Sequence, residues 1–205
     1  MPETSYRVNE VFLSIQGEGR RAGEASVFLR FSGCNLTCSK DSEGFDCDTE
    51  FTSGRTLTKD QVVAEVKDVA GQCNWVVFTG GEPALQLDAF LVDALKHQGF
   101  RLAIETNGTV DLPEFAAGLL DFITVSPKTA EHTLRYSGRI DELRYVRCAG
   151  QAIPKPRLKA DYLYLSPAFD GPDPDPQAIR TCVDLVKSHP EWRLSVQGHK
   201  FWKVR

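Results

Sequence analysis

Cys34, Cys38 and Cys47 share one polar segment running from Phe31 to Thr49, with gaps of three and eight residues between them. Thiolates are soft ligands that suit zinc or iron–sulfur clusters. Three is an awkward number for a structural zinc site, which closes with four protein ligands, and for disulfides, which pair off. It suits an iron–sulfur cluster that leaves one iron open to bind a further group. On the cysteines alone zinc stays a competitor, and so does the plain alternative of ordinary buried thiols with Cys47 unrelated to them. A second chemical segment is Thr79-Gly-Gly-Glu-Pro83. Its glycines admit close approach of the backbone to a ligand, and Glu82 offers a carboxylate to a cation such as an amino group; a simple turn would have the same composition. Glu105-Thr-Asn-Gly108, Ser126-Pro-Lys128 and Gln197-Gly-His-Lys200 are further polar clusters.

The intervening sequence supplies the frame these segments need. Ala25–Phe31 reads as a strand leading straight into the cysteine segment. Thr58 opens a helix through a capping box with Gln61, and Val62, Val63, Val66 and Val69 share one face of it. Trp75–Phe78 is a short buried strand. The helix after it carries Leu87, Phe90, Leu91, Ala94 and Leu95 on one stripe and stops at Gly99. Phe100–Ile104, Phe122–Val125, Glu142–Val146, Tyr162–Leu165 and Arg193–Val196 read as further strands. Asp175 caps a helix with Pro176 at its first position and Ile179, Val183 and Val186 inward, after a short proline-rich loop, Gly171 to Pro176. Strands alternating with helices predict an α/β fold built from βαβ units around a parallel sheet. The polar clusters follow the ends of apolar strands, and in a parallel sheet those ends share the face on which sites are built.

The bulk properties narrow the class. A chain of 205 residues, with no repeat or low-complexity tract, fits one domain spanning 1–205. A net charge of -4 gives no electrostatic case for non-specific nucleic-acid binding. No apolar run approaches the roughly 20 residues that span a bilayer, and the N-terminus has no signal-peptide pattern, so a cytoplasmic location without membrane attachment is expected. The six cysteines are then expected to be reduced, with Cys73, Cys148 and Cys182 as small buried hydrophobes.

In chain order the sequence also carries Asn9-Glu-Val-Phe-Leu-Ser-Ile-Gln-Gly-Glu-Gly19, Arg30-Phe-Ser-Gly-Cys-Asn-Leu36, Cys47-Asp-Thr49, Thr79-Gly-Gly-Glu-Pro83, Glu105-Thr-Asn-Gly108, Val125-Ser-Pro-Lys128 and Val196-Gln-Gly-His-Lys200. The three-cysteine loop followed by Gly-Gly-Glu resembles the radical S-adenosylmethionine superfamily. The whole set, from Val8 onward, is similar to its 7-carboxy-7-deazaguanine synthases of queuosine and deazapurine biosynthesis. The resemblance implies an incomplete parallel β/α barrel, open on one side. It implies a four-iron, four-sulfur cluster, S-adenosylmethionine and Mg2+ as cofactors. The implied substrate is a pterin, the electron donor a flavodoxin or ferredoxin, and the assembly a homodimer. Two alternatives stand beside it: a glycyl-radical enzyme activase, and a metal-binding module without catalysis. A departure from the superfamily pattern is the second cysteine gap, eight residues in place of two, so Ser39 to Gly44 must loop out. Asp46 stands where an aromatic usually precedes the last cysteine, and Phe45 is the stand-in.

The resemblance also assigns roles. Cys34, Cys38 and Cys47 would ligate the cluster, and Thr49 the Mg2+. Gly80, Gly81 and Glu82 would hold the amino end of S-adenosylmethionine, with Glu105, Asn107, Ser126 and Lys128 along its ribose and carboxylate and Phe45 near its adenine. Gln16, Glu18, Gly19 and Thr79 would contact the pterin. A carboxylate such as Glu18 can accept two N–H bonds from an aminopyrimidine edge, and Arg30 would fork onto the substrate carboxylate. His199 and Lys200 belong to a tail that closes over the substrate.

Overall fold

The computed structural model describes residues 4–47, 49–170 and 173–205. Asp48 of the Cys-Asp-Thr segment, Gly171 and Pro172 of the proline-rich loop, and the first three residues lie outside these. The strands are β1 (Ser5–Ile15), β2 (Ala25–Phe31), β3 (Arg55–Thr58), β4 (Trp75–Gly80), β5 (Arg101–Thr106), β6 (Phe122–Val125), β7 (Glu142–Arg147), β8 (Tyr162–Pro167), the short ribbon β9 (Phe169–Asp170) and β10 (Asp173–Pro174), and β11 (Trp192–Leu194). The helices are α1 (Lys40–Glu43), α2 (Lys59–Ala70), α3 (Ala89–His97), α4 (Glu114–Leu119), α5 (Pro176–Ser188) and α6 (Gly198–Trp202).

Nine strands form one open sheet in the order β11-β8-β7-β6-β5-β4-β2-β1-β3. From β2 through β11 every pairing is parallel; β1 joins β2, and β3 joins β1, antiparallel. The sheet does not close, so the fold is the partial β/α barrel expected. Among the described residues no helix is long and apolar enough to cross a membrane.

Alternation along the strands sorts the two faces. Val27, Leu29 and Phe31 of β2, Val76 and Phe78 of β4, and Leu102 and Ile104 of β5 are fully buried, in one core with Val62 and Val66 of α2 and Leu91, Val92 and Leu95 of α3. The opposite register places Arg30, Thr79, Glu105, Arg144 and Ser166 along cavities on the inner face. A bulge in β1 between Val8 and Glu10 serves both faces. Before it, Tyr6 and Val8 are buried in the core and the Tyr6 hydroxyl donates to Asp88 at the N-cap of α3 (2.8 Å). After it, Glu10 and Phe12 line a cavity. The extra residue changes which face the even-numbered side chains meet.

Several sequence expectations shift. The capping box of Thr58 and Gln61 and the cap by Asp175 stand as expected. Phe90, expected on the buried stripe of α3, is 70% exposed. Leu91, Val92 and Leu95 take the core contacts, and Phe90 lies one residue, about 100° of helix turn, away from them. In α5 the buried line is Ala178 and Cys182, with Ile179, Val183 and Val186 half-buried beside it. The last strand is Trp192–Leu194, ending before Val196. Of the three outlying cysteines Cys182 is buried, whereas Cys73 and Cys148 are only partly so.

Candidate active site

The cysteine loop leaves β2 at Phe31, and its long gap folds back on itself. Ser39 caps α1 reciprocally with Ser42: Ser42 N donates to Ser39 Oγ (3.3 Å) and Ser39 N to Ser42 Oγ (3.2 Å). Gly44 ends the turn in the left-handed region (φ 84°), where glycine carries no steric penalty. Lys40 N donates to Asp46 Oδ1 (2.9 Å), and Cys47 N returns to Cys38 O (3.4 Å). The insert thus adds a capped helical turn without carrying Cys47 away from Cys38. Asp46 holds that turn in place of the usual aromatic, and Phe45 lies on the cavity wall, its ring 5.9 Å from Lys128 Nζ. Gly44→Ala would place a methyl carbon 3.0 Å from Cys148 Sγ at a positive φ. We expect it to cost about 1–2 kcal/mol locally and to lower iron retention after reconstitution with little change in the global denaturation midpoint. Iron retention equal to wild type would show that the shape of the insert is immaterial.

Cys34, Cys38 and Cys47 border one cavity of about 420 Å³ together with Phe45, Gly80 and Gly81. Ser126, Lys128 and Asn107, past the ends of β6 and β5, line it as well. Burial pushes the Cys34 and Cys38 thiols up, with Lys128 pulling Cys38 the other way. Among the described residues no three His, Cys, Asp or Glu side chains gather tightly enough to hold one metal ion. A four-iron cluster asks for a different arrangement, one thiolate per iron around a larger body. Three thiols on the wall of one cavity fit that demand.

The Gly-Gly-Glu segment braces this loop from within. A Cβ at Gly81 would stand 2.1 Å from Gly33 O, and Gly81 N and Glu82 N donate to Phe31 O (3.3 Å) and Gly33 O (2.9 Å). The glycines therefore admit the neighbouring chain as it enters the cysteine loop, and they also face the cavity. Glu82 departs from the expectation that its carboxylate meets a ligand. It is 0% exposed and accepts from Ala84 N (2.9 Å), Thr106 Oγ1 (2.7 Å) and Asn107 N (2.7 Å). Burial nonetheless pushes its pKa up. Asn107 is likewise engaged internally, donating to Asn35 Oδ1 (3.2 Å) and accepting from Thr109. It ties the cysteine loop to the end of β5. Ser126 Oγ donates to Arg144 O and accepts from Lys128 Nζ (2.7 Å).

A second cavity, also about 420 Å³, lies beside the first, lined by Gln16, Glu18, Arg30, His199 and Lys200 among others. Glu18, Thr49, Thr79, Glu105 and Gln197 line both, so the two spaces meet at these residues. Gln16 Nε2 donates to Glu105 Oε1 (2.9 Å), and Glu18 N to Gln16 Oε1 (3.1 Å). Gly19, at φ 68°, donates to Ser195 Oγ (2.9 Å). The tail docks through Gly198 N to Gly17 O (2.9 Å), with His199 against Gly17 and Lys200 Nζ 4.1 Å from the centre of the Phe169 ring. Arg30 reaches the cavity, with its Nε held by Glu10 (3.0 Å).

Sequence reading missed Glu10, Glu142 and Arg144. Arg144 pairs with Glu105 and Glu142 (both 3.2 Å) and approaches Glu18 (3.8 Å). Burial pushes Glu105 up, but Arg144 and the hydrogen bonds from Arg144 and Gln16 outweigh it and hold Glu105 below the usual carboxylate range. The available signal was Glu142 and Arg144 alternating with Leu143 and Tyr145 in a strand expected to be buried.

Known proteins match this arrangement. The radical SAM superfamily model matches residues 29–149, more than half of the chain. A 7-carboxy-7-deazaguanine synthase of Caulobacter vibrioides is 40% identical, with 96% of this chain and 98% of that protein covered. The synthase of Bacteroides thetaiotaomicron is 38% identical, covering 97% and 98%. The crystal structure of QueE from Escherichia coli shares the fold, with a TM-score of 0.69 at 24% identity over 95% of both chains. Neither the activase nor the non-catalytic module is favoured by these relatives. With three cysteines on one cavity wall and near full-length relatives of one name, the chain belongs to the radical S-adenosylmethionine superfamily and, within it, to the 7-carboxy-7-deazaguanine synthases.

Proposed function

We propose that this chain converts 6-carboxy-5,6,7,8-tetrahydropterin to 7-carboxy-7-deazaguanine and ammonia. The observation that carries the reading is the pair of cavities meeting at Glu18, Thr49, Thr79 and Glu105, one bordered by three thiols and the other by the Gln16–Gly19 segment. When bound, the four-iron cluster and S-adenosylmethionine would supply the radical chemistry that acts at C6 of the pterin.

Cys34, Cys38 and Cys47 would hold the cluster as thiolates. The main chain at Gly80 and Gly81, with Ser126, Lys128 and Phe45, would cradle the nucleoside. Buried Glu82 and Asn107 act by fixing that main chain. Glu18 accepts N–H bonds from the pyrimidine edge, with Gln16 and Thr79 beside it, and Glu105 sits where both ligands meet. Arg30 turns toward the substrate carboxylate from its contact with Glu10. Thr49 at the junction offers a hydroxyl to Mg2+, a hard cation suited to oxygen ligands. His199 and Lys200 bring the tail across the opening, which limits water access and favours a fixed approach of C6. The expected setting is a cytoplasmic homodimer reduced by flavodoxin or ferredoxin.

Mass spectrometry of anaerobic turnover tests the reading: product and ammonia are expected from the carboxypterin with S-adenosylmethionine and reductant, faster with Mg2+ present. Failure to consume the pterin by an iron-replete protein would remove it. Glu18→Gln replaces an acceptor pair by one acceptor and one donor. It is expected to raise KM for the pterin about tenfold, as for loss of a hydrogen bond to a charged group, with iron content unchanged. An unaltered KM would take Glu18 out of the substrate site.

A further inference from the structure

The inner face of β7 carries buried charge. The Arg144 side chain is 6% exposed, and each guanidinium nitrogen meets a different carboxylate: Nη2 lies 3.2 Å from Glu105 Oε1, Nη1 3.2 Å from Glu142 Oε1 and Nε 3.8 Å from Glu18 Oε1. Glu142 also accepts Arg20 N (2.7 Å), and a Cβ at Gly19 would stand 2.2 Å from its Oε1. Glu142 therefore anchors the turn that carries Glu18. Beneath the group is a small polar void of about 10 Å³, lined by Gln16, Arg21, Thr124 and these charged residues, enough for about one water. Glu18 and Glu105 border this void and both larger cavities, whereas Glu142 borders the void alone.

Three carboxylates around one guanidinium repel one another, and burial amplifies that repulsion. Of the other ionisable groups nearby, Arg21 also pulls Glu105 down. Arg21 is bound to Glu24 (3.0 Å) and stacked 3.6 Å over Trp75. Tyr164 is buried on β8, Lys128 contacts Ser126 and Phe45, and His199 and Lys200 lie in the tail. Burial pushes Glu142 up, Arg144 and the Arg20 N–H pull it back, and Glu105 and Glu18 push it up again, so the three acids compete for one cation.

We propose that Arg144 is a positioning residue for the reaction: it keeps Glu18 and Glu105 together at the cavity junction as ionised acceptors for the N–H groups of the substrate ring, with Glu142 as its anchor. The inference rests on placing the pterin beside Glu18. Without the guanidinium Glu105 loses the partner that holds it ionised, and a protonated carboxyl there would present a donor to a donor.

The test compares cluster-loaded wild type with R144K, R144Q and E142Q, measuring iron content, KM for 6-carboxytetrahydropterin, kcat, and the pH profile of kcat/KM. In R144Q, KM is expected to rise about 10- to 100-fold, the loss of charge-assisted hydrogen bonds. Loss of the cation removes what holds Glu105 below the usual carboxylate range, so the acid limb moves to higher pH by about one unit or more. R144K should show smaller changes of the same sign. E142Q removes a competing negative charge, and its acid limb is expected to move to lower pH. These opposite shifts persist in R144K and E142Q even if R144Q fails to fold. An acid limb that stays put in the variants, with activity falling only as iron or folded protein falls, would assign Arg144 a structural role alone. Wild type that binds iron and cleaves S-adenosylmethionine but does not consume the pterin would instead remove the substrate reading, and the inference with it.

Discussion

Replacing Cys47 by serine is expected to leave a folded protein that neither retains iron nor turns over substrate. The thiol is exposed, and its Sγ touches Thr49 O at 3.7 Å, so little packing depends on it. Stability should change by less than about 0.5 kcal/mol, as for an ordinary surface substitution. A serine hydroxyl is a hard ligand and a poor replacement for a soft thiolate on iron. With two thiolates the cluster is expected to be lost during anaerobic reconstitution and gel filtration, and turnover to fall to background. Cys148 supplies the control, because its Sγ lies 3.3 Å from Gly44 O, against the insert and outside the thiol-lined cavity. Cys148→Ser should keep its iron. Iron loss in the Cys148 variant with retention in the Cys47 variant would reassign the third ligand.

Glu82→Ala carries the second large effect, and it is an effect on stability. Its carboxylate accepts two main-chain N–H groups and the Thr106 hydroxyl in a fully buried position. Truncation leaves three donors without that partner at about 1–3 kcal/mol each, partly offset by relief of the carboxylate's own burial. A net loss of roughly 3 kcal/mol is expected, read as a lower urea midpoint of the protein before cluster loading. Glu82→Gln should lose less, because Gln keeps one acceptor and sets an NH2 against the remaining donor. Loss of S-adenosylmethionine binding in Glu82→Ala with an unchanged midpoint would return the carboxylate to the role of direct ligand.

That reversal marks the limit of what the sequence discloses. Apolar runs such as Trp75–Phe78 and Phe122–Val125 announce their strands, and the Thr58–Gln61 capping box its helix, because local composition decides them. The polar strand ends fall together at the cavities for the same reason: parallel order places them on one face. The direction in which Glu82 points is set by Thr106 and Asn107, residues 24 and 25 positions away, and no local pattern encodes it. Arg144 was hidden similarly, since its three acids come from three separate segments. The first strand, Ser5–Ile15, went unread in the sequence, because the bulge between Val8 and Glu10 breaks its alternation and is visible only in its pairing with β2. Helix α1 is too short to show periodicity, though Ser39, Ser42 and Gly44 are its caps.

The most direct measurement follows deuterium from C6 of the carboxypterin. If the thiol-bordered cavity and the Glu18 cavity hold cofactor and substrate in contact, turnover of the C6-deuterated pterin will place deuterium at the 5′-carbon of recovered S-adenosylmethionine while 7-carboxy-7-deazaguanine accumulates. Product formed with no deuterium in the cofactor would contradict that juxtaposition.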